Sequence, residues 1–439
     1  MKVKLFHLFY IVLICAMCLL PLLGMMFQPT AEQELPALTT SEGGFNGDCL
    51  EEAETYMAEH FALRSGLRTL WAHFNAKLFR TSVDARVILG KDGWLYAAET
   101  AADYMGESMG EEALTYGARN LYLMHEYVRN NGAQLVFTIS PNKNSLYPDH
   151  MPERYPMGTS SDATRLSLLL AEQGVPYVDL FTVFRQEEAV LYYLTDTRWT
   201  TRGAALAADT ILQHFHKSTG YFDGTFQIKT NRSGNLYSML YPVGLYTEAV
   251  DSYTDGFTFT AEAEDGTVTT VQEKARGHLV CWQDDFGSWL WPFLAEVYET
   301  AQFSEATEYD LTAVPRCHAD AVIIELAESS LSRLVTCAPR FASPVRSVTV
   351  ETYGLETLTG MGTAVEALHG LRVTVPRGLV DAGSSLYVKI GDTVYEGCVL
   401  WSEQELVCSV WVSEELPKAV ELIGRKDGAA TAYSCIING

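Results

Sequence analysis

Three short stretches of this chain combine residue types and spacings that could do chemistry. Ser140-Pro141-Asn142-Lys143-Asn144-Ser145-Leu146-Tyr147-Pro148 follows the apolar run QLVFTIS. Tyr193-Leu194-Thr195-Asp196-Thr197-Arg198-Trp199-Thr200 leads into Gly203-Ala204 and a helical pattern, and Asp284-Asp285-Phe286-Gly287-Ser288 lies between HLVCW and WLWPFLAEVYE. Loops leaving the C-terminal ends of strands are where open α/β sheets place their sites. A hydroxyl at a helix N-terminus could attack an acyl carbonyl with help from the helix-end amides. Ser288 falls inside the first turn, where a capping or surface role competes. Arg198 stays protonated at physiological pH and cannot act as a general base. Asp285 bears a carboxylate, which can serve as a nucleophile in some chemistry.

Alternating elements must position these loops. A helix is predicted from about Glu112 to Asn130, followed by a short buried strand at Gln134–Ser140 between Gly132 and Pro141. A second helix around Ala163–Gln173 leads to VPYVDL, and Thr201–Phe215 is again helical. HLVCW at 278–282 and ADAVIIEL at 319–326 resume the pattern. Such alternation predicts parallel β-α units in an α/β sheet. Residues 217–276, with Gly, Tyr, Thr and Asp throughout, read as an insertion or cap. Segments after Pro339, such as VRSVTVETY, SLYVKIGDTVYEGCVLW and LVCSVWV, alternate apolar and polar residues between turns. They predict a separate all-β sandwich domain over 339–439.

GKDGWLY, SPNKNSLYP, the D-T-R-W-T-T-R-G-A segment and DDFGSWLWPFLAE stand in a shared order. In these the chain resembles the AlgX/AlgJ-type (DHHW-like) families over roughly residues 45–335. The resemblance implies an SGNH-hydrolase-like three-layer α/β sandwich over 49–338. It also implies a role in O-acetylating exopolysaccharide or cell-surface glycan, alongside a membrane-bound O-acyltransferase that delivers acetyl groups. The family pattern is Asp-x-His-Trp, with Asp-Ser opening the later motif. The serine attacks, the histidine takes its proton, and the aspartate two residues earlier orients that histidine. Here Asp196, Trp199 and Asp284 match retained positions, while Arg198 stands at the histidine and Asp285 at the serine. By the same resemblance Asn142 and Lys143 line the groove, or they simply form the turn before Pro148. Ser288 is the alternative hydroxyl. The two replacements are complementary, which predicts an Arg198–Asp285 ion pair with Asp196 as a second acceptor. Two functional readings follow. One is a noncatalytic glycan-binding or scaffold protein, and the other is an acetyltransferase or acetylesterase working through non-standard residues.

A formal net charge of −24 argues against a nucleic-acid-binding surface and leaves a polysaccharide partner open. Of the nine cysteines, Cys15 and Cys18 lie inside the N-terminal apolar run; none of the other seven forms a C-x-x-C pair or has histidines at zinc-ligand spacing, so neither a metal nor another cofactor is implied. Cys398 with Cys408 could bridge a hairpin, or both could be buried thiols. Trp401, Trp411, Tyr387 and Tyr395 could stack on sugars or fill the β-domain core. Lys2 and Lys4 precede an apolar run from Leu5 to Phe27, long enough to cross a bilayer. Without a clean small-x-small site after it, an uncleaved anchor over 1–27 is expected rather than a removed signal peptide. Residues 28–48 then form a polar linker, and the bulk of the chain lies outside the cytoplasm in a single-pass arrangement.

Overall fold

A computed structural model describes residues 64–217, 219–348, 355–365, 370–413 and 416–438, with scattered positions before residue 55. The Leu5–Phe27 run lies almost wholly outside the described residues, and among those described no helix is long and apolar enough to cross a membrane. The chain divides into two compact units, residues 1–89 with 235–246 and residues 90–234 with 247–439.

The smaller unit contains α1 (Arg64–Phe79), β1 (Val87–Leu89) and a short helix, Asn235–Leu240. Arg68 ties α1 to Asp84 at 2.9 Å and to the Met239 carbonyl at 3.3 Å.

The larger unit is built on a seven-stranded sheet in the order β4-β3-β11-β9-β10-β8-β7. The strands are β3 (Gln134–Ser140), β4 (Tyr177–Val178), β7 (Thr260–Glu264), β8 (Thr267–Val271), β9 (His278–Trp282), β10 (Thr300–Ser304) and β11 (Ala321–Ala327). From β4 to β10 every neighbouring pair is parallel, whereas β8 and β7 join as an antiparallel edge. All seven residues of β11 are buried, as expected of a strand covered on both faces. Alternate side chains feed two cores. Leu135, Phe137, Val322, Ile324 and Val280 pack on one face with α2 (Glu111–Asn130) and α3 (Asp162–Gln173). Val136, Ile323, Leu279 and Cys281 pack on the other with α4 (Thr201–His214) and α5 (Gly287–Ala295). The three α/β/α layers are those expected.

The 217–276 stretch is not one cap. β7 and β8 extend the central sheet, while β5 (Phe226–Arg232) and β6 (Glu248–Tyr253) form their own antiparallel ribbon. Nearby, β2 (Leu95–Ala97) is mostly buried.

The C-terminal region is not a two-sheet sandwich. Its eight strands form one hydrogen-bonded sheet. In spatial order they are β15 (Thr393–Glu396), β14 (Ser385–Ile390), β18 (Ala419–Lys426), β19 (Ala429–Asn438), β12 (Thr357–Val365), β13 (Gly370–Pro376), β17 (Glu405–Trp411) and β16 (Cys398–Trp401). Leu371, Val388, Val399, Leu406, Val410 and Leu422, from five of these strands, meet in one apolar cluster. The sheet therefore wraps its own core like a barrel instead of facing a second sheet. Period-two alternation demands one buried face but does not say whether a partner sheet or the same sheet covers it.

This sheet also shares its packing with α2. Asn120, fully buried on α2, donates to the Leu334 and Val399 carbonyls at 2.8 and 2.9 Å and accepts from the Val399 amide at 2.9 Å. Arg119 and Arg346 both reach Glu396. Of the two alternatives for Cys398 and Cys408, the structure has buried free thiols, not a bridge. In the register Cys408 faces Val399, one residue from Cys398. Adjacent strand positions point to opposite faces, so Cys398 joins the α/β core and Cys408 the barrel core. Of the four aromatics, Trp401 and Trp411 are half-buried and Tyr387 and Tyr395 are buried. Trp401 Nε1 donates to Glu112 at 3.2 Å and Trp411 Nε1 to the Pro339 carbonyl at 3.1 Å.

Candidate functional site

The three chemistry-bearing loops converge at the C-terminal ends of the parallel strands. After β3 comes Asn142-Lys143, after β9 Asp284-Asp285, and after β11 Glu328. A small hairpin over residues 191–200 adds Asp196 and Arg198 just before α4. Its ladder is short: Thr200 N donates to the Leu191 carbonyl at 2.6 Å and Tyr193 N to the Arg198 carbonyl at 3.2 Å. Thr200 then caps α4 by accepting from Gly203 N at 3.1 Å.

Trp199 is fully buried, with its ring 5.1 Å from Phe286 and 5.8 Å from Phe184. It is a packing residue, not a sugar-stacking surface. Because Trp199 follows Arg198 and Phe286 follows Asp285, this ring contact sets the two charged residues side by side. Arg198 Nη2 lies 3.2 Å from Asp285 Oδ2, the pairing expected from the substitutions. Asp285 is 71% exposed, however, so the pair sits at the rim of the site rather than inside it.

Asp196 does not serve as the second acceptor for the Arg198 guanidinium. It is almost completely buried, and its Oδ1 accepts from the Arg198 backbone amide at 3.2 Å and from the Thr197 hydroxyl at 3.4 Å. Its Oδ2 accepts from Arg232 Nη2 at 2.8 Å. Arg232, at the end of β5, is held between the rings of Tyr193 and Trp289 at 4.5 and 4.7 Å. Gly234 permits this approach, since a Cβ there would lie 2.0 Å from the Thr195 carbonyl oxygen. No local signal in the irregular 217–276 stretch marks Arg232, and only the tertiary path brings it here.

The Asp196 loop is clamped from both sides. Lys143 Nζ donates to the carbonyls of Tyr193, Leu194 and Asp196 at 3.1, 3.1 and 2.6 Å, using all three ammonium hydrogens. Glu248 accepts from the Leu194 and Thr195 amides at 2.8 and 3.3 Å. Burial pulls the Lys143 ammonium down to about 7, while Asp196 and Glu248 pull it upward. Asn142 and Lys143 do line a small cavity with Tyr96, Thr197, Phe286 and Ser329, but the lysine's donors are already spent within the chain. Ser288 Oγ donates to the Asp285 carbonyl at 2.7 Å, a turn contact that pairs it with no base.

A buried carboxyl network lies beneath. Glu325 interrupts the apolar β11, accepting from Ser140 Oγ at 2.5 Å and from the Asp284 amide at 3.1 Å. Asp284 accepts from the Phe286 and Ala327 amides at 3.0 and 2.5 Å. Burial raises both carboxyls above the usual carboxylate range. A lone charge inside a continuous apolar run was the available sequence signal for Glu325. Glu328 accepts from the Asn142 amide at 2.9 Å, and burial pushes it up to about 7.

Because folding raises the Glu328 pKa, the folded chain holds more protons than the unfolded chain between pH 4.5 and about 7. Stability conferred by this group is therefore present below 4.5 and lost as pH rises through 7. Urea unfolding across that window should show the parent losing about 3 kcal/mol more than Glu328→Gln. Equal losses would contradict a buried, protonated Glu328.

Residues 87–270 match the SGNH hydrolase-like domain of acetyltransferase AlgX. The probable alginate O-acetylase AlgJ of Pseudomonas fluorescens is 31% identical over 170 residues, covering 37% of this chain and 41% of the relative. That of Pseudomonas syringae pv. tomato is 29% identical over 166 residues, with the same coverage of 37% and 41%. The match thus spans about two fifths of these curated relatives. Among solved structures, Bacillus cereus PatB1 aligns with a TM-score of 0.46 at 14% identity, over 56% of this chain and 95% of that one. The O-acetyltransferase domain of Pseudomonas putida AlgJ aligns at 0.39 and 17%, over 56% and 91%. Residues 87–270 are thus similar to the SGNH hydrolase-like domain of acetyltransferase AlgX, and a stretch of comparable length is similar to part of AlgJ.

Proposed function

We propose that this chain is a membrane-anchored, extracytoplasmic protein of exopolysaccharide or cell-surface glycan O-acetylation. In this reading it holds glycan, or scaffolds a membrane-bound O-acyltransferase, and does not itself transfer acetyl groups. The observation that carries the proposal is the Arg198–Asp285 contact at 3.2 Å, a charge pair where the family pattern has base and nucleophile. A guanidinium cannot take a proton from a nucleophile. The nearest serine hydroxyl on the helix, Ser288, is directed to a backbone carbonyl. Trp289, half-buried and stacked on Arg232, supplies an aromatic group that suits a sugar ring.

The full chain in lipid vesicles should release p-nitrophenol from its acetate ester no faster than vesicles alone. Trp289→Ala should weaken retention of the cognate glycan in an oligosaccharide panel. Clear turnover that Ser288→Ala abolishes would overturn the noncatalytic reading and favour an acetyltransferase or acetylesterase with non-standard residues.

A further inference from the structure

Helix α1 carries an apolar stripe that is exposed among the described residues. Leu67, Leu70, Trp71, Phe74 and Leu78 recur at helical spacing, and each is between 49% and 68% exposed. Trp71 and Phe74 stack at 5.7 Å, and Phe79 closes edge-on to Phe74 at 6.0 Å. The opposite face supplies the internal contacts. Thr69 and Ala72 are buried, Arg68 pairs with Asp84, and His73 stacks on Tyr241 at 4.1 Å. The stripe is thus turned outward by packing rather than left over from a poorly placed helix.

The charge around the stripe is equally one-sided. Residues 60–83 contain Arg64, Arg68, Lys77 and Arg80 and no Asp or Glu, in a chain with 31 basic and 55 acidic residues. An apolar stripe with Trp, Phe and Leu, bordered by cations, suits the interface of an anionic bilayer. A second copy would bring like charges together along the same stripe. We infer that α1 lies on the surface of an anionic lipid bilayer, its apolar stripe in the headgroup–acyl boundary. This rests on the reading that Leu5–Phe27 anchors the chain. Only residues 28–63 separate that run from α1. Tethered that close, even a weak intrinsic affinity would keep the helix on the membrane.

Hydrogen exchange of the full chain, reconstituted in phosphatidylcholine vesicles with or without phosphatidylglycerol, tests this directly. Peptides covering residues 64–79 should exchange at least tenfold more slowly when phosphatidylglycerol is present, with peptides from α2 unchanged. Leu70→Asp combined with Phe74→Asp should remove that protection. Arg64→Gln with Lys77→Gln, which leaves the apolar packing intact, should reduce it severalfold. A chain that floats with the vesicles but shows no lipid-dependent protection keeps the anchor and overturns the docking of α1. Protection that follows protein density instead of lipid charge would assign the stripe to a second copy and also overturn it. A chain that floats with neither vesicle overturns both readings.

Discussion

Arg198→His combined with Asp285→Ser should raise p-nitrophenyl acetate hydrolysis on the order of 10³-fold over the parent, with either single substitution within about tenfold of it. The double variant restores a proton acceptor and a hydroxyl nucleophile at positions that the Trp199–Phe286 contact already holds together. Asp196 lies two residues from the restored histidine, and α5 begins at Gly287, beside the restored serine. A single change leaves either a base without a nucleophile or a nucleophile beside a permanent cation. Rates for the double variant equal to the parent's would show that the charge pair is not what keeps the site from acyl transfer. Stability should respond far less. With Asp285 71% exposed, the pair contributes about 0–1 kcal/mol, so the four corners of the cycle should lie within about 1 kcal/mol in urea unfolding.

The second large effect is structural. Lys143→Met should cost on the order of 4 kcal/mol, because it strips the donors from three carbonyls and leaves the Asp196 loop clamped only by Glu248 and Arg232. Urea unfolding at pH 7 measures this, and a loss below about 1 kcal/mol would refute the clamp. The pH dependence gives an independent check. Folding lowers the Lys143 pKa to about 7, so between there and 10.5 the unfolded chain binds more protons. Stability therefore rises with pH across that window in the parent, and this increment should be absent from Lys143→Met.

Much of this arrangement is legible in single stretches of sequence. The alternation of QLVFTIS, HLVCW and ADAVIIEL with helical patterns specifies a parallel sheet, because buried strands and amphipathic helices have distinct periods. Order and position of the motifs predict loops at the C-terminal strand ends, and the complementary charges of Arg198 and Asp285 predict their pairing. These are local properties, or properties of two residues whose loops the fold type already brings together.

What only the tertiary structure decided are the partners drawn from far along the chain and the depth at which each group sits. Asp196 pairs with Arg232 because β5 returns across the loop at Gly234, a path that no periodicity encodes. Lys143 reads as a turn residue or a groove cation, but its burial converts it into an internal clamp. The C-terminal alternation says that one face is covered. Hydrogen-bond register decided that the same sheet covers it and that Cys398 and Cys408 point into different cores. The sequence by itself determined which residue types, Arg198 and Asp285, stand in the two motifs. The fold decided how they sit: a charge pair at the rim, above a loop held by buried groups.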